Sequence, residues 1–232
     1  MPLLVTKHTD NILRDISLRL ESGEHLLILG ANGAGKTTLA KRIAGLRPSD
    51  AVTIEGRSPY HTYGATRARL VNYIPPKLDV FDDYLTVEAF LALGHFNEAL
   101  TINEALRLCG IAHLASHRCV TLSSGEGQLV LFASALLHGA RYTLFDEPAA
   151  NLDPVKLKRI FNLLQTTPHL HSRIVITHHL DMAYKLGYRV CAMEQGRIVF
   201  NGAHEAFFDE AHLQRFYNGA VAVAANHAVV TL

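Results

Sequence analysis

Residues 26–37 read L-L-I-L-G-A-N-G-A-G-K-T, and no other stretch limits the fold as tightly. Leu26-Leu27-Ile28-Leu29 has no polar side, so as a strand it must be covered on both faces, as happens in a parallel sheet between helix layers. The next eight residues, Gly30-Ala31-Asn32-Gly33-Ala34-Gly35-Lys36-Thr37, match G-x-x-x-x-G-K-[ST], and a helical pattern follows from Thr37 to Leu46, closed by Arg47-Pro48. Glycines let successive backbone N–H groups converge on phosphates. Lys36 adds a point charge for the β/γ oxygens, the Thr37 hydroxyl can ligate Mg²⁺, and the helix N-terminus contributes its partial positive charge. The stretch predicts a nucleoside triphosphate site.

Around it, strand and helix patterns alternate. Ile16–Leu20 and Val52–Ile54 read as further strands of an N-terminal antiparallel section. Val71-Asn72-Tyr73-Ile74 is an apolar run stopped by Pro75-Pro76, which cannot continue a strand ladder. Residues 84–118 read as helices opened by Thr86 and Thr101, the latter with capping-box spacing to Glu104. From 123 the pattern is helix 125–137, strand 141–145, helix 154–165, strand 173–177, helix 180–186, then strands 189–193 and 197–200. The fold expected is α/β: a mainly parallel sheet wrapped by helices, the antiparallel section, and a helical insert over 77–122. The core then comprises 1–76 and 123–232, with the double proline as the seam.

Composition bounds the rest. In 232 residues the formal net charge is +1, which gives no surface for a polyanion, so nucleic acid is not expected as a partner. Cys109, Cys119 and Cys191 have no C-x-x-C spacing and fit unpaired thiols in a reducing cytoplasm. No apolar run reaches the roughly 18 residues needed to span a bilayer, and the first residues lack a signal-peptide pattern. The apolar C-terminal G-A-V-A-V-A-A-N-H-A-V-V-T-L reads as a terminal strand or packed tail. His169-x-His171 and His178-His179 read as solvated or nucleotide-facing histidines rather than a metal site, since no cysteine or acid completes a ligand set.

Two further motifs sharpen the chemistry. Tyr142-Thr143-Leu144-Phe145-Asp146-Glu147 is a strand ending in two acids. The first suits Mg²⁺, directly or through water, and the second can orient or deprotonate a water. Leu122-Ser123-Ser124-Gly125-Glu126-Gly127-Gln128 is a hydroxyl- and glycine-rich opening to a helix, an anion-seeking geometry or a simple cap.

In this order the motifs resemble the ATP-binding subunits of ABC transporters over roughly residues 3–205. L-S-S-G-E is similar to the family's L-S-G-G-Q/E signature, with Ser124 in a glycine position. Asn151-Leu152-Asp153 is similar to the loop after the acids, and Ile176-Thr177-His178 to the switch-histidine motif. The resemblance implies an Mg²⁺-dependent ATPase, and T-V-E-A-F-L-A-L-G at 86–94 resembles a segment of metal-chelate and metal-ion importers. ATP would be held by Gly30, Asn32, Gly33, Ala34, Gly35, Lys36, Thr37 and Thr38, with His8 against adenine. Thr37 and Asp146 would hold Mg²⁺, Glu147 would act as general base, and His178 would meet the γ-phosphate. Two copies would clamp two ATP molecules head to tail, each presenting Ser123, Ser124, Gly125 and Glu126 to its partner, with Asp153 in the dimer loop. The implied partner is a transmembrane permease on a separate chain, which places the protein on the cytoplasmic face of the cell membrane.

One position departs from the family. Its seam usually reads Tyr-Val-Pro-Gln, with the glutamine ligating Mg²⁺ or the attacking water; here the chain has Tyr73-Ile74-Pro75-Pro76, and its first glutamine is Gln128. Drift with water in place of the side chain, slower or differently coupled turnover, and substitution by an acid such as Asp79 are the alternatives. Rival functions are a non-transport ABC ATPase and a regulatory module that barely hydrolyses ATP.

Overall fold

The computed structural model describes residues 1–150, 152–224 and 227–230. The chain opens on β1 (Leu3–His8) and β2 (Ile16–Leu20), which pair antiparallel with Leu3 opposite Leu20. β3 (Leu26–Leu29) is buried at every residue and leads through the glycine-rich turn into α1 (Lys36–Ile43). That helix stops short of the expected Leu46. Gly45 ends it with φ +68°, and a Cβ there would stand 2.4 Å from the Pro59 carbonyl oxygen, so the chain must turn at a glycine. β4 (Val52–Ile54) returns to the free edge of β1 and completes a three-stranded antiparallel sheet in the order β2-β1-β4.

α2 (Gly64–Leu70) runs directly into β5 (Val71–Ile74). Past the double proline come α3 (Val87–Leu93), capped by the Thr86 hydroxyl, and α4 (Ile102–Cys109). The Thr101–Glu104 capping box forms as expected, and Gly110 closes α4 in the left-handed region. A 3₁₀ turn at Cys119–Thr121 leads to α5 (Ser124–His138). The chain then alternates through β6 (Tyr142–Asp146), α6 (Pro154–Thr166), β7 (Ser172–Ile176), α7 (Leu180–Leu186), β8 (Arg189–Glu194) and β9 (Arg197–Gly202). It ends with α8 (His204–Phe207), α9 (Glu210–Tyr217) and the antiparallel pair β10 (Val221–Ala224) and β11 (His227–Val230). The apolar tail is thus a β pair, with Val221 and Ala228 buried and His227 Nδ1 2.9 Å from Asp181 on α7. Asn151, expected in the loop after the acids, lies outside the described residues.

The central sheet has the order β5-β6-β7-β3-β8-β9 and is parallel except for β9. Successive strand residues face opposite sides, which divides the core in two. Leu27, Leu29, Phe145 and Val175 pack with the apolar faces of α5 and α6. Leu26, Ile28, Leu144 and Ile174 pack against α1 and the antiparallel sheet. At roughly 1.5–3 kcal/mol for each large apolar side chain fully buried, the two layers fix the strand ends firmly. The site is built on those ends.

Candidate functional site

The carboxyl ends of β6, β7 and β3 lie side by side with β7 in the middle. Ile28 and Asp146 are both in register with Ile176. In a parallel sheet this edge is where turns and helix N-termini converge on a ligand. Gly30 leaves β3 with φ +148°, and a Cβ there would come within 2.3 Å of the Met193 carbonyl oxygen, so the loop lies directly on β8. Gly33 and Gly35 also take positive φ, and Gly35 is the cap residue of α1. Lys36 is buried, and its Nζ donates to the carbonyls of Gly30 at 2.7 Å and Ala31 at 3.0 Å, which holds the ammonium inside the bend of the loop. A cavity of about 320 Å³ is lined by residues 32–38, with Ile12 and Glu147 as its other walls.

Beside the loop, Asp146 is 2% exposed. Thr37 Oγ1 donates to Asp146 Oδ1 at 3.2 Å, and the Tyr73 hydroxyl donates to Oδ2 at 2.7 Å. Burial, reinforced by the hydrogen bond to Asp146 and its charge, pushes the Tyr73 phenol well above its usual range, so it stays a donor. Thr37 and Asp146 therefore offer two hard oxygen ligands next to the phosphate loop, a donor set that fits Mg²⁺.

Glu147 turns away from the strand. Its φ is +52°, unusual outside glycine, and its N–H donates to the Ile176 carbonyl at 2.9 Å. Its Oε2 lies 2.8 Å from His178 Nδ1 and accepts from the His178 backbone N–H at 3.3 Å. The carboxylate is thereby fixed at the mouth of the cavity by the residue that follows β7 and Thr177. Burial, and then the charge of His178, pushes His179 below the usual histidine range.

The serine-rich motif is elsewhere. Ser123 caps α5, accepting from the Glu126 N–H at 3.3 Å, while Glu126 Oε2 accepts from the Ser123 N–H and hydroxyl at 2.8 and 2.7 Å. These bonds hold the Glu126 carboxyl below its usual range. Ser123 and Ser124 are exposed, and none of residues 123–126 lines the cavity over the phosphate loop. Gly125 is buried because Lys156 lies across it: a Cβ would stand 2.7 Å from Lys156 Cδ. Lys156 also pairs with Asp153 at 2.9 Å, and Asp153 caps α6 through the N–H groups of Val155 and Lys156. The α5 start and the Asp153 cap of α6 are therefore one assembly.

His8 sits differently from its expected place. It is 8% exposed, with Nε2 3.1 Å from Asp10 and Nδ1 3.2 Å from the Ser49 hydroxyl, and it does not line the cavity. The side chain that does so from this segment is Ile12. Its backbone N–H, with that of Leu13, is held by Asp10. Asp79, an alternative to the missing glutamine, lies with Pro76, Phe90 and His138 along a separate groove and pairs with Lys77. The exposed Pro76 instead uses its carbonyl, which accepts a short hydrogen bond from the Gln128 side chain on α5. Ile12, Tyr73 and Gln128 were not legible as site residues. Ile12 is placed by the loop that Asp10 holds, Tyr73 by the β5–β6 register and Gln128 by its position on α5, none of which spacing along the chain shows.

Comparison with known proteins agrees with this geometry. The ABC transporter family model matches residues 13–150. The chain is 33% identical over 237 residues to the hemin import ATP-binding protein HmuV of Bordetella avium, covering 93% of this chain and 89% of that one. It is 32% identical over 251 residues to the phosphonates import ATP-binding protein PhnC of Burkholderia pseudomallei, covering 93% and 81%. A solved ATP-binding subunit of an ABC transporter superposes with a TM-score of 0.77 at 24% identity, over 94% of each chain. The glycine-rich loop, paired acids, serine-capped helix and His178 occupy one α/β scaffold whose sequence matches along nearly its whole length, and the chain belongs to the ABC transporter family.

Proposed function

We propose that this protein is the Mg²⁺-dependent ATPase subunit of an importer, working as a pair of copies beneath a separate membrane-embedded permease. The observation that carries the reading is the division of the site. The cavity over the phosphate loop is walled by Lys36, Thr37 and Glu147, while the exposed Ser123–Ser124 helix start lies outside it. Head-to-tail pairing of two copies brings each serine-capped helix to the other's phosphate loop.

In that arrangement the backbone of 32–37 and the Lys36 ammonium hold the β and γ phosphates. Thr37 and Asp146 would hold Mg²⁺, which would neutralise phosphate charge. Glu147 takes the proton of the attacking water, and its bond to His178 keeps the carboxylate aimed into the cavity. His178, half exposed at the same mouth, is placed to reach the terminal phosphate. Among the described residues no helix is long and apolar enough to cross a membrane. The permease holds the protein at the inner face of the cell membrane. The relatives named for import of hemin and phosphonates support the inward direction.

The test is phosphate release by the purified protein. Glu147→Gln should bind ATP normally and lose roughly 10²–10⁴ in turnover, the scale of a general base. Undiminished release in that variant overturns the assignment.

A further inference from the structure

The Tyr73 hydroxyl is an unassigned group in direct contact with the acid at the end of β6. β5 and β6 are parallel with Tyr73 opposite Leu144, so Tyr73 and Asp146 share a sheet face two residues apart along the strands. Val71 and Ile74 of the same strand are buried, and the half-buried Tyr73 ring packs against the layer that holds α1. Its hydroxyl reaches Asp146 Oδ2 at 2.7 Å, while Oδ1 faces Thr37 at 3.2 Å. The two oxygens of this buried carboxylate are thus distinguished by different donors.

We propose that Tyr73 is a positioning residue for the metal site, locking the Asp146 carboxylate so that Oδ1 is presented beside Thr37. Removing the hydroxyl leaves Oδ2 buried with no donor, and the carboxylate then turns about its own axis or draws Oδ1 away to seek another partner. A second-layer donor of this kind fixes the ligand without touching the metal. The proposal rests on the reading of Asp146 as a metal ligand, and the experiment separates the two.

Tyr73→Phe and Asp146→Asn are made in the full chain, and Mn²⁺ binding is titrated by electron paramagnetic resonance at saturating ATP. ATP binding is measured in parallel in EDTA. Tyr73→Phe should weaken Mn²⁺ binding by about tenfold, the lower end for loss of an outer-layer partner, and leave metal-free ATP binding unchanged. Unaltered metal-free binding shows that the phosphate loop is still folded, so the loss belongs to the carboxylate. If Asp146→Asn loses Mn²⁺ affinity and Tyr73→Phe stays within about twofold of the wild type, well short of that tenfold loss, the positioning role is wrong. If Asp146→Asn binds Mn²⁺ as well as the wild type, Asp146 is not a ligand and the proposal fails with that reading.

Discussion

The Gln128 side-chain amide donates to the carbonyl of Pro76, tying the seam after β5 to the first turns of α5. Proline at 76 has no side-chain oxygen to offer a metal or a water, and its φ is fixed. Its carbonyl instead anchors the helix whose N-terminus carries Ser123. The Pro76 side chain therefore cannot ligate a metal, and under the proposed function it has nothing to insert or withdraw as the permease moves. We predict that Pro76→Gln raises permease-stimulated ATP turnover more than basal turnover in reconstituted membranes. Equal fold-stimulation of the two proteins would mean that the proline is neutral.

Asp10 supports the loop that carries Ile12 to the cavity. Burial alone would raise its pKa, but the backbone N–H groups of Leu13 and Ile12, then His8 and Arg42, hold the carboxyl well below the usual carboxylate range. A group with a depressed folded pKa stabilises the protein above its unfolded pKa of about 4, and that contribution is lost as pH falls through the folded value. Asp10→Asn should therefore be less stable at pH 7 by about 1–3 kcal/mol, with the deficit shrinking as pH drops below about 4. Denaturant melts across that range check it; a deficit constant from neutral to acid pH contradicts it.

Gly30 and Gly33 both have positive φ, but only Gly30 meets its neighbours, with the Met193 carbonyl at 2.3 Å from a would-be Cβ and open space beside Gly33. Gly33→Ala should cost about 1 kcal/mol from backbone strain alone. Gly30→Ala should cost a further ~1–3 kcal/mol because β8 must shift. Thermal melts in the absence of nucleotide measure the difference, and equal destabilisation would show that the loop relaxes away from β8.

Much of this architecture was legible in the sequence, for physical reasons that differ by element. β3 announced itself because a strand buried on both faces has no polar residue to spare, β6 as a short strand ending in two acids, and the Thr101 cap because its hydrogen bonds are local; Ser123, read as a cap or an anion-seeking start, is a cap. α2 was missed because only Leu70 of its seven residues is buried, so it has no apolar stripe. α8 and α9 are short, and the aromatic packing of Phe207, Phe208 and Phe216 against Phe200, Tyr184 and one another that holds them is tertiary. Within the site, the phosphate loop and the acids followed from spacing. Tyr73 did not, since its reach to Asp146 depends on the β5–β6 register. Nor did the inward-facing His8, which is settled by Asp10 and Ser49, the latter 41 residues along the chain.

The central claim is that the ATP site is shared between two copies, and the molecular mass of Glu147→Gln measures it most directly. That variant should bind ATP and hold the closed pair, so light scattering with Mg²⁺ and ATP should give twice the monomer mass, reverting when nucleotide is removed. Ser123→Arg in the same background should bind ATP and stay monomeric, because the bulky cation blocks the face that meets the partner's phosphates without touching the chain's own cavity. A monomer at every concentration with ATP bound, or a dimer indifferent to both ATP and Ser123→Arg, would contradict the account.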